Sequence, residues 1–188
     1  MKSNNIIYNG PLSTYVEIIS GGTPRTSNRE YWGGNIPWLS VKDFNNDKRF
    51  VYKTEKCITK LGLENSVTQL LRKNDIIISA RGTVGAMAMI PFPMSFNQSC
   101  YGIRAKERYV HPSFLYYLLK SMIVEFKANT HGSVFDTITR ETFDNINIYL
   151  PSLEIQDKIA DILARLDDKI ELNDRVNDNL PLGKYLLA

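Results

Sequence analysis

Apolar positions along the chain change period twice, and those changes divide it into predicted elements. "DIIISA" (75–80) is an unbroken apolar run between "RKND" and "RGTVG", the length and isoleucine content of a buried strand. "GAMAMI" (85–90) predicts a partner strand, paired back across a Gly82–Gly85 turn. "NQSCYGIRAK" (97–106) reads as another strand, with Tyr101 and Ile103 on one face, and "NINIYLP" (145–151) as a last one. "IPWLSV" (36–41) is β-like, and "LSTYVEIIS" (12–20) fits a short strand or a helical turn. "FVYKTEKCIT" (50–59) predicts a strand entering a short helix, "ITKLGLENS".

At 112–130 the period becomes helical. Phe114, Leu115, Leu118, Leu119, Met122, Ile123 and Phe126 recur at steps of three and four after Pro112. From Ser152, a candidate N-cap, a second stripe runs through Ile155, Ile159, Leu163, Leu166 and Ile170. It continues over Asn173 and Asn177 to Leu180, and Pro181 stops it. About 28 residues at ~1.5 Å each make a rod of ~42 Å. Such a stripe needs a covering surface, either the chain's own body or a partner helix; asparagines in the seam favour a coiled-coil partner. The fold class expected is α+β (mixed α/β): a strand-rich globular domain over 1–151, a coiled-coil helix over 152–180 and a tail over 181–188.

One stretch breaks the periodic pattern. "GGTPRTSNREYWGGNIPWLSVKDF" (21–44) combines Gly and Pro turn chemistry with Tyr31, Trp32 and Trp38, and predicts an ordered loop pinned by aromatic anchors.

Charge sharpens this division. The 188 residues carry a net charge of +3. Residues 1–151 hold 18 Lys and Arg against 12 Asp and Glu, and 152–188 hold 5 against 8, so a basic body is joined to an acidic helix. There is no run of 18 apolar residues and no signal-peptide core at the start, so a cytoplasmic protein without a membrane partner is expected. Cys57 and Cys100, 43 positions apart, suggest no disulfide framework and are expected to be reduced and half-buried.

Catalytic patterns are missing. There is no GxSxG, P-loop or GxGxxG motif, and no amino-methyltransferase Asn-Pro-Pro-aromatic motif. Asp167 and Asp168 are expected on a solvated helix face, and His111 and His131, lacking an acid or nucleophile partner, read as loop or cap residues. No catalytic residue, metal or cofactor is expected.

Donor-rich loops remain: Arg25 to Arg29, Ser40 to Lys42, Lys48–Arg49, Arg72–Lys73, Arg81–Gly82–Thr83, Asn97–Gln98–Ser99 and His131–Gly132–Ser133. Arg, Lys, Asn and Gln suit base edges, and Ser and Thr suit phosphates. Each loop alone is equally compatible with solvated turn chemistry; as a set they favour nucleic acid.

The ordered series "ISGGTPRTSNREYWGGNIPWLSVKDF", "IISARGTVGAMAMI", "FNQSCYGI", "FLYYLL", "GSVFDTIT" and "LPSLEIQDKIADILARLDDKIELNDRVNDNL" resembles the specificity (S) subunit of Type I restriction-modification systems, over about residues 15–180. The resemblance implies a target recognition domain followed by a conserved-region helix. A full-length S subunit has two such units, with antiparallel helices, each domain reading half of a bipartite DNA site. Catalysis belongs to other subunits. This chain holds one unit, which suggests a half-size or truncated form, with "LPLGKYLLA" as a linker remnant. The expected partners are double-stranded DNA, the methyltransferase (modification) subunits, through them the restriction subunit, and a second copy of the chain. The residues expected to face DNA are Lys42, Arg81, Thr83, Asn97, Gln98, Arg25, Thr26, Lys48 and Ser133. The alternative is an interaction protein that binds the modification subunit, or competes with a full-length S subunit, through its helix.

Overall fold

A computed structural model describes residues 6–129 and 137–179. Its centre is the Ile76–Ser79 strand, all four residues of which are buried. Their side chains alternate between two cores. Ile76 and Ile78 join Val16, Met87, Met89 and Ile103 under a helix, while Ile77 joins Ile19, Leu39, Leu71, Ala88 and Phe96 on the opposite face. A strand covered on both faces has no solvated side, and this is why its apolar run is unbroken.

In chain order the elements are β1 (Ile6–Pro11), α1 (Leu12–Tyr15), β2 (Val16–Ser20), a 3₁₀ turn (Arg29–Tyr31), β3 (Trp32–Leu39), α2 (Val41–Phe44), β4 (Lys56–Ile58) and α3 (Lys60–Glu64). There follow β5 (Leu70–Leu71), β6 (Ile76–Ser79), β7 (Met87–Met89), β8 (Met94–Phe96), β9 (Cys100–Ala105), α4 (Pro112–Asn129), α5 (Arg140–Asn145), β10 (Asn147–Pro151) and α6 (Leu153–Asn179). The central sheet has the order β2-β9-β6-β7, and a second sheet has the order β4-β3-β8-β5. β1 and β10 form a separate antiparallel ribbon. The architecture is therefore α+β, with strand-rich layers and a long C-terminal helix.

The central sheet is clamped by a buried ion pair. Arg104 of β9 donates through Nε and Nη2 to both oxygens of Asp75, at 3.0 and 2.7 Å, and reaches Glu17 at 3.1 Å. The Asp75 side chain is only 4% exposed. The hydrogen bond with Asp75 outweighs burial and raises the Arg104 pKa above its ordinary value.

The pairing of "DIIISA" with "GAMAMI" and the helix after Pro112 match the pattern read from the sequence. Residues 12–20 hold both alternatives, a helical turn and then a strand. The strand predicted over 50–59 shrinks to β4, because Phe50 makes only an isolated bridge to Met89 and 51–55 follow an irregular path. The strand predicted from 97 starts at Cys100, since 97–99 form a turn. Cys100 is fully buried, not half-buried; burial, with Asp43 adding to it, pushes its thiol up to about 12. Burial thus disfavours its thiolate near neutral pH. Among the described residues no helix is long and apolar enough to cross a membrane.

α6 begins at Ser152, whose carbonyl accepts from Ile155 and Gln156 N–H. Its first turns are seated firmly. Fully buried Gln156 donates to Tyr109 and Pro151 carbonyls, each at 2.9 Å, and accepts from His111 N–H at 2.8 Å. His111 caps α4 through its carbonyl to Leu115 N–H, as expected of a cap residue, yet it does have an acid neighbour: Nε2 lies 3.5 Å from Asp157. The expectation of a solvated Asp167–Asp168 pair holds for exposed Asp168 but not for Asp167, which is half-covered, and both carboxylates are engaged by the body. Asp167 accepts from the Tyr117 hydroxyl at 2.9 Å and Asp168 from Arg49 at 2.6 Å.

The helix thus meets the body through Gln156, Ala160 and Asp167, a different stripe from the one read in the sequence. Of that stripe, Ile155 and Leu163 are half-covered, whereas Ile159, Leu166, Ile170, Asn173 and Asn177 are exposed. Ile162 and Val176, not singled out by the sequence pattern, are exposed beside them. Leu180 lies outside the described residues.

Candidate nucleic-acid interface

Register places several of the polar loops at one end of the central sheet. Ser20 pairs with Tyr101, Ser79 with Cys100, and Ile78 with Met87. Loops 21–28, 80–86 and 97–99 therefore leave the sheet on the same side. The parallel pairing of Leu39 with Phe96 brings Ser40 and Lys42 there too.

The turn at 96–99 is the hub of this end. Phe96 carbonyl accepts from Gly22 N–H at 2.9 Å, Asn97 N–H donates to Leu39 at 3.0 Å, and Ala80 N–H donates to Ser99 at 2.8 Å. The Thr23 hydroxyl bonds the Gln98 side-chain oxygen. Ala80 in turn accepts from Ile138 N–H at 2.9 Å, joining the segment before α5. The glycines are required by this crowding. A Cβ on Gly21 would sit 2.0 Å from Asn97 O, and one on Gly22 would sit 2.5 Å from Thr68 N.

The aromatic anchors pin this stretch, but the loop expected over 21–44 is confined to its first part, since 32–39 form β3 and 41–44 form α2. Trp38 is buried and donates its indole N–H to Gly22 O at 3.0 Å. Trp32 meets it edge-on, with centroids 5.2 Å apart, and donates to Arg25 O at 3.4 Å. Lys56 Nζ lies 5.9 Å from the Trp32 ring centre. Two clefts, of about 220 and 430 Å³, share Glu55 and Lys56; Lys42 lines the first and Thr26 the second.

Several polar residues here are occupied in holding the backbone. Ser40 and Asp43 form a capping box at α2, with Asp43 accepting from Ser40 N–H at 2.7 Å. The other Asp43 oxygen accepts from Glu55 N–H at 2.8 Å. The Asn97 side chain accepts from Ser99 N–H at 3.1 Å and locks its own turn. Arg25, Thr26, Lys42, Arg81, Thr83 and Gln98 are exposed. Arg25, Lys42, Lys56 and Arg81 make no ion pair among the described residues, in contrast to Arg49 and Arg104, whose charges are met by carboxylates.

The structure thus gathers Arg25, Thr26, Lys42, Arg81, Thr83, Asn97 and Gln98 at one end. Lys48 is not with them. Its neighbour Arg49 is bonded through its carbonyl to Met89 N–H, at the opposite end of β7. Ser133 and His131 lie outside the described residues. Lys56 escaped the sequence reading because a lone lysine in a short strand carries no pattern; only the fold sets it against Trp32.

Comparison with known proteins identifies the family. A family model described as "Type I restriction modification DNA specificity domain" matches residues 12–182. The chain is 33% identical over 167 residues to the Type I restriction enzyme MjaIX specificity subunit of Methanocaldococcus jannaschii, covering 87% of this chain and 38% of that protein. It is 30% identical over 168 residues to the HindI specificity subunit of Haemophilus influenzae, covering 85% and 36%. Its fold is similar to that of the HsdS subunit from Thermoanaerobacter tengcongensis, with a TM-score of 0.69 at 20% identity, covering 92% of this chain and 40% of that one. The chain therefore spans well under half the length of these relatives. With the family match extending over nearly all of its residues, the chain belongs to the Type I restriction-modification DNA specificity domain family.

Proposed function

We propose that this chain is a non-catalytic DNA specificity module that reads one half of a bipartite target and docks methyltransferase subunits, and through them the restriction subunit. The observation that carries this is the convergence on one end of a rigid sheet of exposed Arg25, Lys42, Lys56 and Arg81, none of them in an ion pair among the described residues. Loop backbones pinned to one another keep those side chains in register, the preorganisation that base-edge readout needs. Residues 1–151 form the reader, and 152–180 the helix that positions it.

The helix supplies the second half of the reading. Ile159, Ile162, Leu166, Asn173 and Val176 fall at steps of 3, 4, 7 and 3, the a and d positions of a heptad, and all are exposed. A second copy packed antiparallel along this seam places two readers at opposite ends of the pair. A rod of ~40 Å separates them by about a dozen base pairs at ~3.4 Å each. The dyad makes the two half-sites palindromic.

The experiment is a titration of duplex DNA with and without the modification subunit. Binding that appears or tightens in the complex and falls steeply with salt is expected. The open seam also suits the alternative, a helix-mediated interaction protein; that reading requires complex formation with no DNA binding in either arm.

A further inference from the structure

A helix held at one point pivots, whereas one held at two separated points has a fixed direction. α6 is held at two. The first is its base, where buried Gln156 is bonded to Tyr109, Pro151 and His111. The second lies about three turns further on, at Asp167 and Asp168. There Arg49 donates through Nη2 to Asp168 at 2.6 Å and through Nη1 to the Tyr117 hydroxyl at 3.3 Å; that hydroxyl donates onward to Asp167 at 2.9 Å.

The second clamp is built to be stiff. The Arg49 side chain is 15% exposed, and its guanidinium lies over the Phe50 ring at 4.9 Å. Its backbone is stitched to the central sheet on both sides: Met89 N–H donates to Arg49 O at 2.7 Å, and Val51 N–H to Met89 O at 3.3 Å. Tyr117 comes from α4, where burial, outweighing the pull of Arg49, raises its hydroxyl to about 12. The hydroxyl therefore keeps its proton and stays a donor to Asp167 at neutral pH. The loop carrying Arg49 is also the direct continuation of α2, which carries Lys42.

We infer that Arg49 and Tyr117, which lie away from the loop end, are spacer-determining positioning residues: they fix the direction of α6 from the reader and thereby the interval between two half-sites. This rests on the proposed function. Its logic is geometric, since a small change in angle at the base of a rod of ~40 Å is magnified at its far end.

The test is methylome sequencing of cells expressing the full chain with its modification subunit, comparing wild type with Arg49→Met and Tyr117→Phe. Wild type is expected to give one bipartite motif with one spacer; no motif at all overturns the proposed function itself. Given that motif, the variants are expected to keep the half-site sequence and to lose about tenfold of their discrimination against neighbouring spacers. An unchanged spacer in both variants, or an altered half-site, overturns the inference. Should Arg49→Met abolish methylation, Tyr117→Phe, which keeps the ring and its edge contact with Tyr116, decides between these outcomes. Small-angle scattering of both purified variants is a further check: a profile superimposable on wild type counts against the inference, and a broadened one supports it.

Discussion

The Trp38 indole N–H meets the Gly22 carbonyl at 3.0 Å, tying the end of β3 to the start of the glycine-rich loop. With Trp32 edge-on against it, this bond converts a stretch rich in turn residues into a fixed support for Arg25 and Thr26. Trp38→Phe keeps most of the packing but strands the buried Gly22 carbonyl, which should cost about 1–3 kcal/mol. Trp38→Ala should cost about 3–5 kcal/mol. Denaturant titration measures both, and equal, negligible losses would show that the loop is not anchored there.

Gly21→Ala places a methyl 2.0 Å from Asn97 O, a backbone atom that cannot step aside cheaply. The loop and the 97–99 turn must then part. DNA affinity is expected to fall at least tenfold while the helical circular dichroism of α4 and α6 is retained. A variant binding DNA as wild type would separate these two loops functionally.

Charge at the loop end should divide into two kinds. Removing Lys56 is expected to weaken binding evenly across sequences and to reduce the salt slope by about one. Removing Arg81 is expected to cost about 1–3 kcal/mol and to relax preference at particular base positions. Binding measured across a salt series and a panel of single-base variants checks both; identical profiles for the two variants would contradict the distinction.

Asp75→Asn leaves Arg104 beside Glu17 alone, without its two-toothed partner. Because Asp75 is buried and Arg104 mostly so, a loss of about 3 kcal/mol in unfolding free energy is expected. A melting temperature within error of wild type would show that this pair does not clamp the central sheet.

Much of this fold is legible in the sequence because local pattern and tertiary role agree. "DIIISA" is unbroken because it lies between two cores, and "PSFLYYLLKSMIV" has helical spacing because one face of α4 covers the sheet. β5 and β8, of two and three residues, are too short to show any period, and β1 hides in "IIYNGP", where Asn, Gly and Pro read as a turn. The donor-rich loops are legible residue by residue but not as a place: what gathers Arg25, Lys42, Arg81 and Gln98 is strand register. Lys48 sits only six positions after Lys42, yet the chain crosses to the other end of the sheet between them. Arg49 and Asp168, 119 positions apart, leave no local trace of their pairing.

Pairing of two copies along the exposed seam of α6 is tested most directly by association state. Ile162 and Leu166 are 62% and 51% exposed, so Ile162→Asp with Leu166→Asp should leave the fold intact, within about 0.5 kcal/mol per site. Sedimentation equilibrium of the 21.5 kDa chain should give twice that mass for wild type and the single-chain mass for the double variant. A wild type that stays at the single-chain mass at high concentration would contradict a second copy on the seam and remove the fixed interval between two readers.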